Sequence, residues 1–342
     1  MSPVAQPGLP STVALPSGPV LAYGVLFRGF AHVWTPVLLS RELKRVPSGI
    51  RVAGEKLVLF RRPDGSPGAL VDRCPHRGVA LSLGKVGDDG CLACPFHGWR
   101  FSTDGTVRHV PLNPDAKLNQ LSATAIPVRD VGDLLWIYTA PVARAPSEPV
   151  PPDALVEPDW TRTYVETTWR CHWTRAMENM LDSPHLPFVH RTTIGRSMAR
   201  MMTPTSRMGV SWEEMPWGGR QRSRLDGTGN LAYLDFHRPN MMALHIPIPG
   251  KRLRMHALVI PVDESTTRLV VASARDFATF RFLNPLFDRM NAFIAAQDQA
   301  VVESSDPPEV PLPSEEVSVA TDRATLRFRK YYRENLRPPI NA

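Results

Sequence analysis

The sequence predicts an α+β protein in two parts, an all-β N-terminal domain followed by an antiparallel sheet with a few long helices. Three observations carry that prediction. Between residues 20 and 140, short apolar runs alternate with turn signals. Prolines then crowd residues 141–158, which marks a boundary. Beyond them strand-like segments follow one another, flanked by helical stretches at residues 173–190 and roughly 281–304. A chain of 342 residues is long for one hydrophobic core and comfortable for two.

The elements read as follows. Residues 1–22, with Pro3, Pro7, Pro10 and Pro16, form a flexible tail. Residues 23–142 form the β domain, 143–160 a Pro-rich linker, and 161–342 the second domain. Leu57-Val58-Leu59-Phe60 is a strand, and the Pro63, Asp64 and Gly65 that follow it are turn residues. Ala69-Leu70-Val71 is a second strand, Thr103-Asp104-Gly105-Thr106 a hairpin turn, and Leu134-Leu135-Trp136-Ile137-Tyr138 a buried strand. In the second domain Tyr164 to Trp169 alternates like a strand, and residues 208–213, 231–238, 241–248, 254–261 and 267–273 are strand-like.

Composition excludes several function classes. Hydrophobic residues make up 43% and charged residues 21%, the balance of a soluble globular protein. Four cysteines are too few for a disulfide framework, and any ligand thiolate must stay reduced, so a cytoplasmic location is expected. The opening residues lack a basic segment followed by an apolar run, so no signal peptide is expected. No stretch approaches eighteen apolar residues, so no membrane span is expected. The net charge of +7 comes from scattered Arg and Lys, without the dense basic run or motif of a nucleic-acid binder. A basic surface does suit docking of an acidic electron donor. No convincing G-x-G-x-x-G follows a strand, so the chain shows no nicotinamide or flavin fingerprint.

Two constellations carry chemistry. The first is Cys74-Pro75-His76 and, seventeen residues on, Cys94-Pro95-Phe96-His97. Each half pairs one thiolate with one imidazole, so the set fits either a mononuclear Cys2His2 zinc site or a [2Fe–2S] cluster in which two His replace two Cys on one iron. Zinc fingers usually keep Cys with Cys and His with His. One of each per loop is what a cluster needs if one iron takes both Cys and the other both His. Cys91 also forms a C-x2-C with Cys94, but the set is complete without it, and Cys91 reads as a packed thiol. The second constellation is Glu178, Asp182, His185 and His190. The first three are spaced i, i+4, i+7 and would share one helix face, while Pro184 and Pro187 distort the helix and bring His190 round to the same centre. Two His and one carboxylate on one side of an iron leave open positions for O2 and substrate.

Residues 74–78, C-P-H-R-G, and residues 94–101, C-P-F-H-G-W-R-F, resemble the Rieske oxygenase family. The string E-N-x-x-D-x2-H-x4-H from Glu178 to His190 resembles the catalytic motif of its α subunits. The F-V-H-R-T-T-I-G that ends it looks most like the vanillate and dicamba O-demethylase branch. The resemblance covers about residues 25–310. It implies a Rieske [2Fe–2S] domain held by Cys74, His76, Cys94 and His97, then a helix-grip catalytic domain with a mononuclear Fe(II) on His185 and His190. It implies that Asp182 does not bind iron but bridges to His97 of a neighbouring subunit, and hence a homotrimer. The third iron ligand should be a late carboxylate. Asp298, in A-Q-D-Q-A-V-V-E, stands at the ligand position of a family string resembling E-D-x-x-V-V-E, with Gln297 where the family has Glu. Glu303 and Asp306 are its rivals. Electrons would come from NAD(P)H through a separate reductase, with a ferredoxin as an optional carrier. The reaction would hydroxylate or oxidatively demethylate a hydrophobic small molecule. Ring cis-dihydroxylation, a pure Rieske electron carrier and a zinc-stabilised interaction protein are the alternatives.

Other residues follow. Glu178 and Asn179 orient ligands or sit on a helix surface. His172, His237, His245 and His256 lack partner spacing and read as packed or surface histidines. Met198, Met201, Met202, Met241 and Met242 fill core or line a substrate pocket. Arg196 and Arg200 read as solvent-exposed, with the holding of a substrate carboxylate as the alternative. Trp99 and Phe101 shield the cluster.

Overall fold

The computed structural model describes residues 26–142, 144–227 and 232–337. The expected tail at residues 1–22, the domain start at 23–25, residue 143, the first residue of the 231–238 segment and the last five residues lie outside the described residues.

The N-terminal domain is built from short antiparallel strands: β1 (Trp34–Leu39), β2 (Ser48–Val52), β3 (Glu55–Arg61), β4 (Pro67–Val71), β5 (Lys85–Val86), β6 (Leu92–Ala93), β7 (Arg100–Phe101), β8 (Val107–His109), β9 (Val128–Val131) and β10 (Leu134–Tyr138). They form sheets in the orders β1-β10-β9, β2-β3-β4 and β5-β6-β7-β8. Leu57, Leu59 and Ala69 pack with Leu135 and Ile137 in one core. Val58, Phe60 and Leu70 point the other way, into a second core with Cys74, Cys94 and Phe101. Alternation along β3 and β4 therefore fills two cores, and both cysteines rest on the second.

The C-terminal domain follows as β11 (Thr161–Trp169), α1 (Trp173–Leu181), α2 (Leu186–Val189), α3 (Arg196–Met201), β12 (Met208–Met215), β13 (Gly218–Leu225), β14 (Ala232–His237), β15 (Met241–Ile248), β16 (Lys251–Pro261), β17 (Thr267–Arg275), α4 (Asn284–Val302) and α5 (Arg323–Asn335). One antiparallel sheet runs β11-β17-β16-β15-β14-β13-β12. Strand alternation gives it two faces. Leu234, Phe236, Met255, Ala257, Leu269 and Val271 pack with α1, α4 and α5. Leu258, Ile260, Val270 and Ala272 pack instead on Trp34, Leu134 and Trp136 of the first domain. Truncating a buried side chain such as Ile260 in that seam to alanine would cost about 2–5 kcal/mol. The Pro-rich stretch after residue 143 has no α-helix or β-strand, yet it is not detached. Ala145 and Leu155 join the same seam, and Trp34 donates to the Ser147 carbonyl.

Three sequence expectations need correction. The helical stretch at 173–190 is two helices with a break. Asp182 is extended (φ −90°, ψ 132°), because Pro184 bars helix for Ser183 and lacks the amide the next turn needs. Glu178, Asp182 and His185 therefore do not share one helix face. Strand β13 was not expected, since G-G-R-Q-R-S-R-L carries Arg on one face and small or polar groups on the other. Helix α5 was not expected either, although Ala324, Phe328 and Tyr332, spaced by four, are its buried apolar positions.

The outer sheet face also buries a charge network. Asp235 takes two hydrogen bonds from Arg220 at 2.6 and 2.8 Å and one from His245 at 2.9 Å. Burial alone would raise its pKa, but these bonds outweigh it and hold it at about 2. A carboxyl whose folded pKa is depressed adds stability that is complete above its unfolded value. That stability disappears as pH falls through the folded value. The contribution is about 2 kcal/mol. In urea titrations between pH 6 and 2, the stability gap between wild type and Asp235→Asn should be widest above pH ~4 and shrink toward pH ~2. A gap independent of pH would show that Asp235 is not ionised in this network.

Candidate metal centres

The two loops of the first constellation close in the same way. In each, the Cys amide donates to the carbonyl five residues on, Cys74 to Val79 and Cys94 to Trp99, both at 2.8 Å. In each, the Gly four residues on donates back to the Cys carbonyl, Gly78 to Cys74 and Gly98 to Cys94. Both glycines have positive φ, 72° and 70°, which favours glycine over residues with a side chain. The cysteines are buried and His97 is exposed, so the set has a thiol side facing the core and an imidazole side facing out. The His76 and His97 ring centroids are 4.6 Å apart, and Trp99 stacks on His76 at 4.6 Å and 5°. Burial, and next the neighbouring Cys94 among other groups, pushes the Cys74 thiol up to about 11. Such a pair binds as thiolates only if a cation compensates. Among the described residues, no three of these four ligand atoms lie within 4.8 Å of one another. That spread suits two metal atoms and does not suit a single zinc ion. Phe101 is fully buried beneath the loops, and Cys91 is a buried free thiol outside the set.

The second constellation is closed by tertiary structure. Among the described residues, His185, His190 and Asp298 form the one group whose ligand atoms all lie within 4.8 Å. Asp298 Oδ1 is 3.0 Å from His190 Nε2 and 3.6 Å from His185 Nε2, yet it is buried with no aligned donor. Each imidazole is held from behind. His185 Nδ1 donates to Asp182 Oδ2 at 3.1 Å, and that oxygen also accepts the His185 amide at 2.9 Å. His190 Nδ1 donates to Gln297 Oε1 at 3.0 Å, which is fixed by Thr193 Oγ1 at 3.0 Å. A proton held on Nδ1 leaves the Nε2 lone pair facing inward. Two imidazole lone pairs and one orphaned carboxylate oxygen converging on one point fit a divalent cation, and the mixed N/O donor set suits Fe(II). Gly195 makes the turn after His190 possible. A Cβ there would sit 1.9 Å from the Leu186 carbonyl oxygen.

The rivals fall elsewhere. Glu303 accepts from the Arg170 amide and from Gln299. Glu178 points away from the centre and pairs with Arg175 and Arg329. Beside the triad lies a cavity of about 600 Å³ that includes its mouth, walled by Met180, Leu234, Met242, Leu244, Met255, Val271 and Ile294. Of the methionines singled out in the sequence, Met242 lines it. Arg196 and Arg200 are exposed. His172 caps α1, His237 stacks on Trp217, and alternation turns His245 and the buried His256 toward the outer sheet face, although His256 is also among the residues that line the cavity.

A cluster-type domain joined to a sheet-and-helix domain with a two-His, one-carboxylate triad defines the class of two-centre iron proteins. Comparison with known proteins names the family. Residues 33–124 match the Rieske [2Fe-2S] domain, and residues 169–337 match the vanillate O-demethylase oxygenase C-terminal domain. The chain belongs to the Rieske oxygenases, whose members carry a [2Fe–2S] cluster and a mononuclear iron. It is 33% identical to the tert-butanol monooxygenase / tert-amyl alcohol desaturase oxygenase subunit of Aquincola tertiaricarbonis over 59% of this chain and 43% of that one. It is 29% identical to the chloroplastic chlorophyllide a oxygenase of Oryza sativa subsp. japonica over 77% of this chain and 48% of that one. The chain thus spans about half the length of these curated relatives. The structure of NdmA from Pseudomonas putida CBB5 superposes with a TM-score of 0.75 at 26% identity, covering 89% of each chain.

Proposed function

We propose that this chain is the terminal oxygenase of a Rieske non-haem iron system. It uses O2 and two electrons from NAD(P)H, delivered by a partner reductase with or without a ferredoxin. It hydroxylates or oxidatively demethylates a hydrophobic aromatic or polycyclic small molecule. The observation that carries this reading is the triad of His185, His190 and Asp298 set in the wall of an apolar cavity. When bound, the cluster on Cys74, His76, Cys94 and His97 supplies single electrons, and the iron on the triad supplies the centre where O2 is reduced. The balance is one O2, two electrons and two protons for one inserted oxygen atom and one water. A hydroxylated N- or O-methyl then leaves as formaldehyde.

The chain's own residues do the rest. Asp182 and Gln297 hold both imidazoles in the metal-binding tautomer. The Met and Leu walls exclude water and press an apolar substrate against the triad. Within the chain, Asp182 uses only Oδ2, which leaves Oδ1 for His97 of the partner subunit. Exposed apolar groups in the second cluster loop (Phe96) and within residues 185–195 (Phe188, Ile194) suit head-to-tail contact, and hence a homotrimer. Four free thiols suit the cytoplasm, and no helix among the described residues is long and apolar enough to cross a membrane.

The test mixes two inactive variants, Cys94→Ser, which lacks the cluster, and Asp298→Ala, which lacks the iron. Electron transfer between subunits predicts that co-assembly restores part of the ¹⁸O2-derived product or formaldehyde. Trimers that assemble but stay inactive would sink the inter-subunit route. Wild type that passes electrons without consuming O2 would make the protein an electron carrier.

A further inference from the structure

Helix α4 places Asn291, Ile294, Ala295 and Asp298 along one wall of the cavity, at the i, i+3, i+4, i+7 spacing of a single face. Asn291 is two turns from Asp298, roughly 10 Å along the axis, so it stands well away from the triad along that wall. Its side chain is 1% exposed. Neither its Oδ1 nor its Nδ2 has a hydrogen-bond partner. A buried carboxamide with both atoms unpaired is costly to keep, and it offers one donor and one acceptor side by side. Apart from the triad and Asp182, the other polar residues of the lining are Asn179, whose Nδ2 is also unpaired, and His256, and the remainder is apolar. Among the described residues no Lys or Arg lines it, while Asp182 and Asp298 do. Arg275 lies further along the same sheet face, but the Ala278 carbonyl, Asn284 and the Phe287 ring enclose it.

We infer that Asn291 is the specificity-determining residue of this cavity and that the substrate is a neutral, flat, mostly apolar ring system carrying an amide-type edge (a lactam or cyclic imide). Such an edge satisfies both atoms of Asn291 while the carbon to be oxidised, one ring away, faces the triad. A carboxylate in the same place would find no Lys or Arg among the described lining residues to pair with, so aromatic acids should bind weakly. This inference rests on the oxygenase reading above and names its substrate class.

The test measures dissociation constants by calorimetry for three bicyclic probes of similar size: quinolin-2(1H)-one, 2-methylnaphthalene and 2-naphthoate. Holoprotein is used, wild type and Asn291→Leu. The expected result is that Asn291→Leu shifts the ratio of quinolinone to methylnaphthalene affinity by about tenfold or more toward the hydrocarbon. Naphthoate should bind weakest to both proteins. Because Asn291 has no partner to lose, the variant should melt at or above wild type, which separates recognition from a structural role. An unchanged ratio overturns the proposal, as does wild type that binds none of the probes. Tight naphthoate binding also overturns it and would implicate Arg275. Iron is assayed on the same samples. Wild type without the mononuclear iron would defeat the oxygenase reading while leaving the affinity ratio to judge Asn291.

Discussion

Asp298→Ala is expected to lose one of about three irons per chain while keeping about two acid-labile sulfides and the cluster's EPR signal. Oxygenation should fall to background, because a two-imidazole remnant has lost its only anionic ligand. Glu303→Gln is the control. Glu303 is tied to Arg170 and Gln299, so this variant should retain all the iron. Gln297→Leu should lie between the two, with iron affinity weaker by about 10–100-fold, since it frees the His190 ring without removing a ligand. Iron and sulfide analysis of the three variants decides the matter. An Asp298→Ala protein that still holds three irons would put the third ligand elsewhere.

Arg329→Met should be the most destabilising change outside the hydrophobic cores. Arg175, Glu178, Glu316 and Arg329 form a four-membered ion-pair cluster that ties α1 to α5, and Arg175 also donates to the Pro307 carbonyl. Its two arginines and Glu178 are almost wholly shielded from water, while Glu316 is about a third exposed. Removing one arginine leaves Glu178 buried beside a single cation, at a cost of about 3–5 kcal/mol. For a protein of this size that lowers the melting temperature by roughly 4–7 °C. Glu178→Leu in the same chain should recover most of the loss, because an apolar pair carries no uncompensated charge. A double-mutant cycle on thermal unfolding tests this. Additive losses would mean that the two residues do not act as a pair.

Glu178 also shows where sequence reasoning went wrong. Its spacing to Asp182 and His185 is helical, but the spacing holds only if the helix continues. Pro184 stops it, and the carboxylate turns to α5, a partner about 150 residues away in sequence. Strand β13 escaped notice for a related reason. Its inner face carries Gln221 and Ser223, which meet Ser183 in place of an apolar core, so no hydrophobic alternation announces it. Helix α5 could have been read from the four-residue spacing of Ala324, Phe328 and Tyr332. Asn291 could have been read by stepping back seven residues from Asp298 on a helix face.

By itself the sequence determined whatever is local. The cluster loops fall within 24 residues, from Cys74 to His97, and each closes on its own backbone with a glycine at positive φ. The Asp182, His185 and His190 segment is similarly short, and the two-part α+β pattern follows from strand and helix periodicity. Tertiary structure decided what spans the chain. It brought Asp298 to the two histidines across more than a hundred residues, assigned Gln297 to the back of His190, and packed the first domain on the outer face of the sheet. Those outcomes depend on how α4 lies across β11 and β17. That packing comes from burying many apolar side chains together, and no short string of residues encodes it.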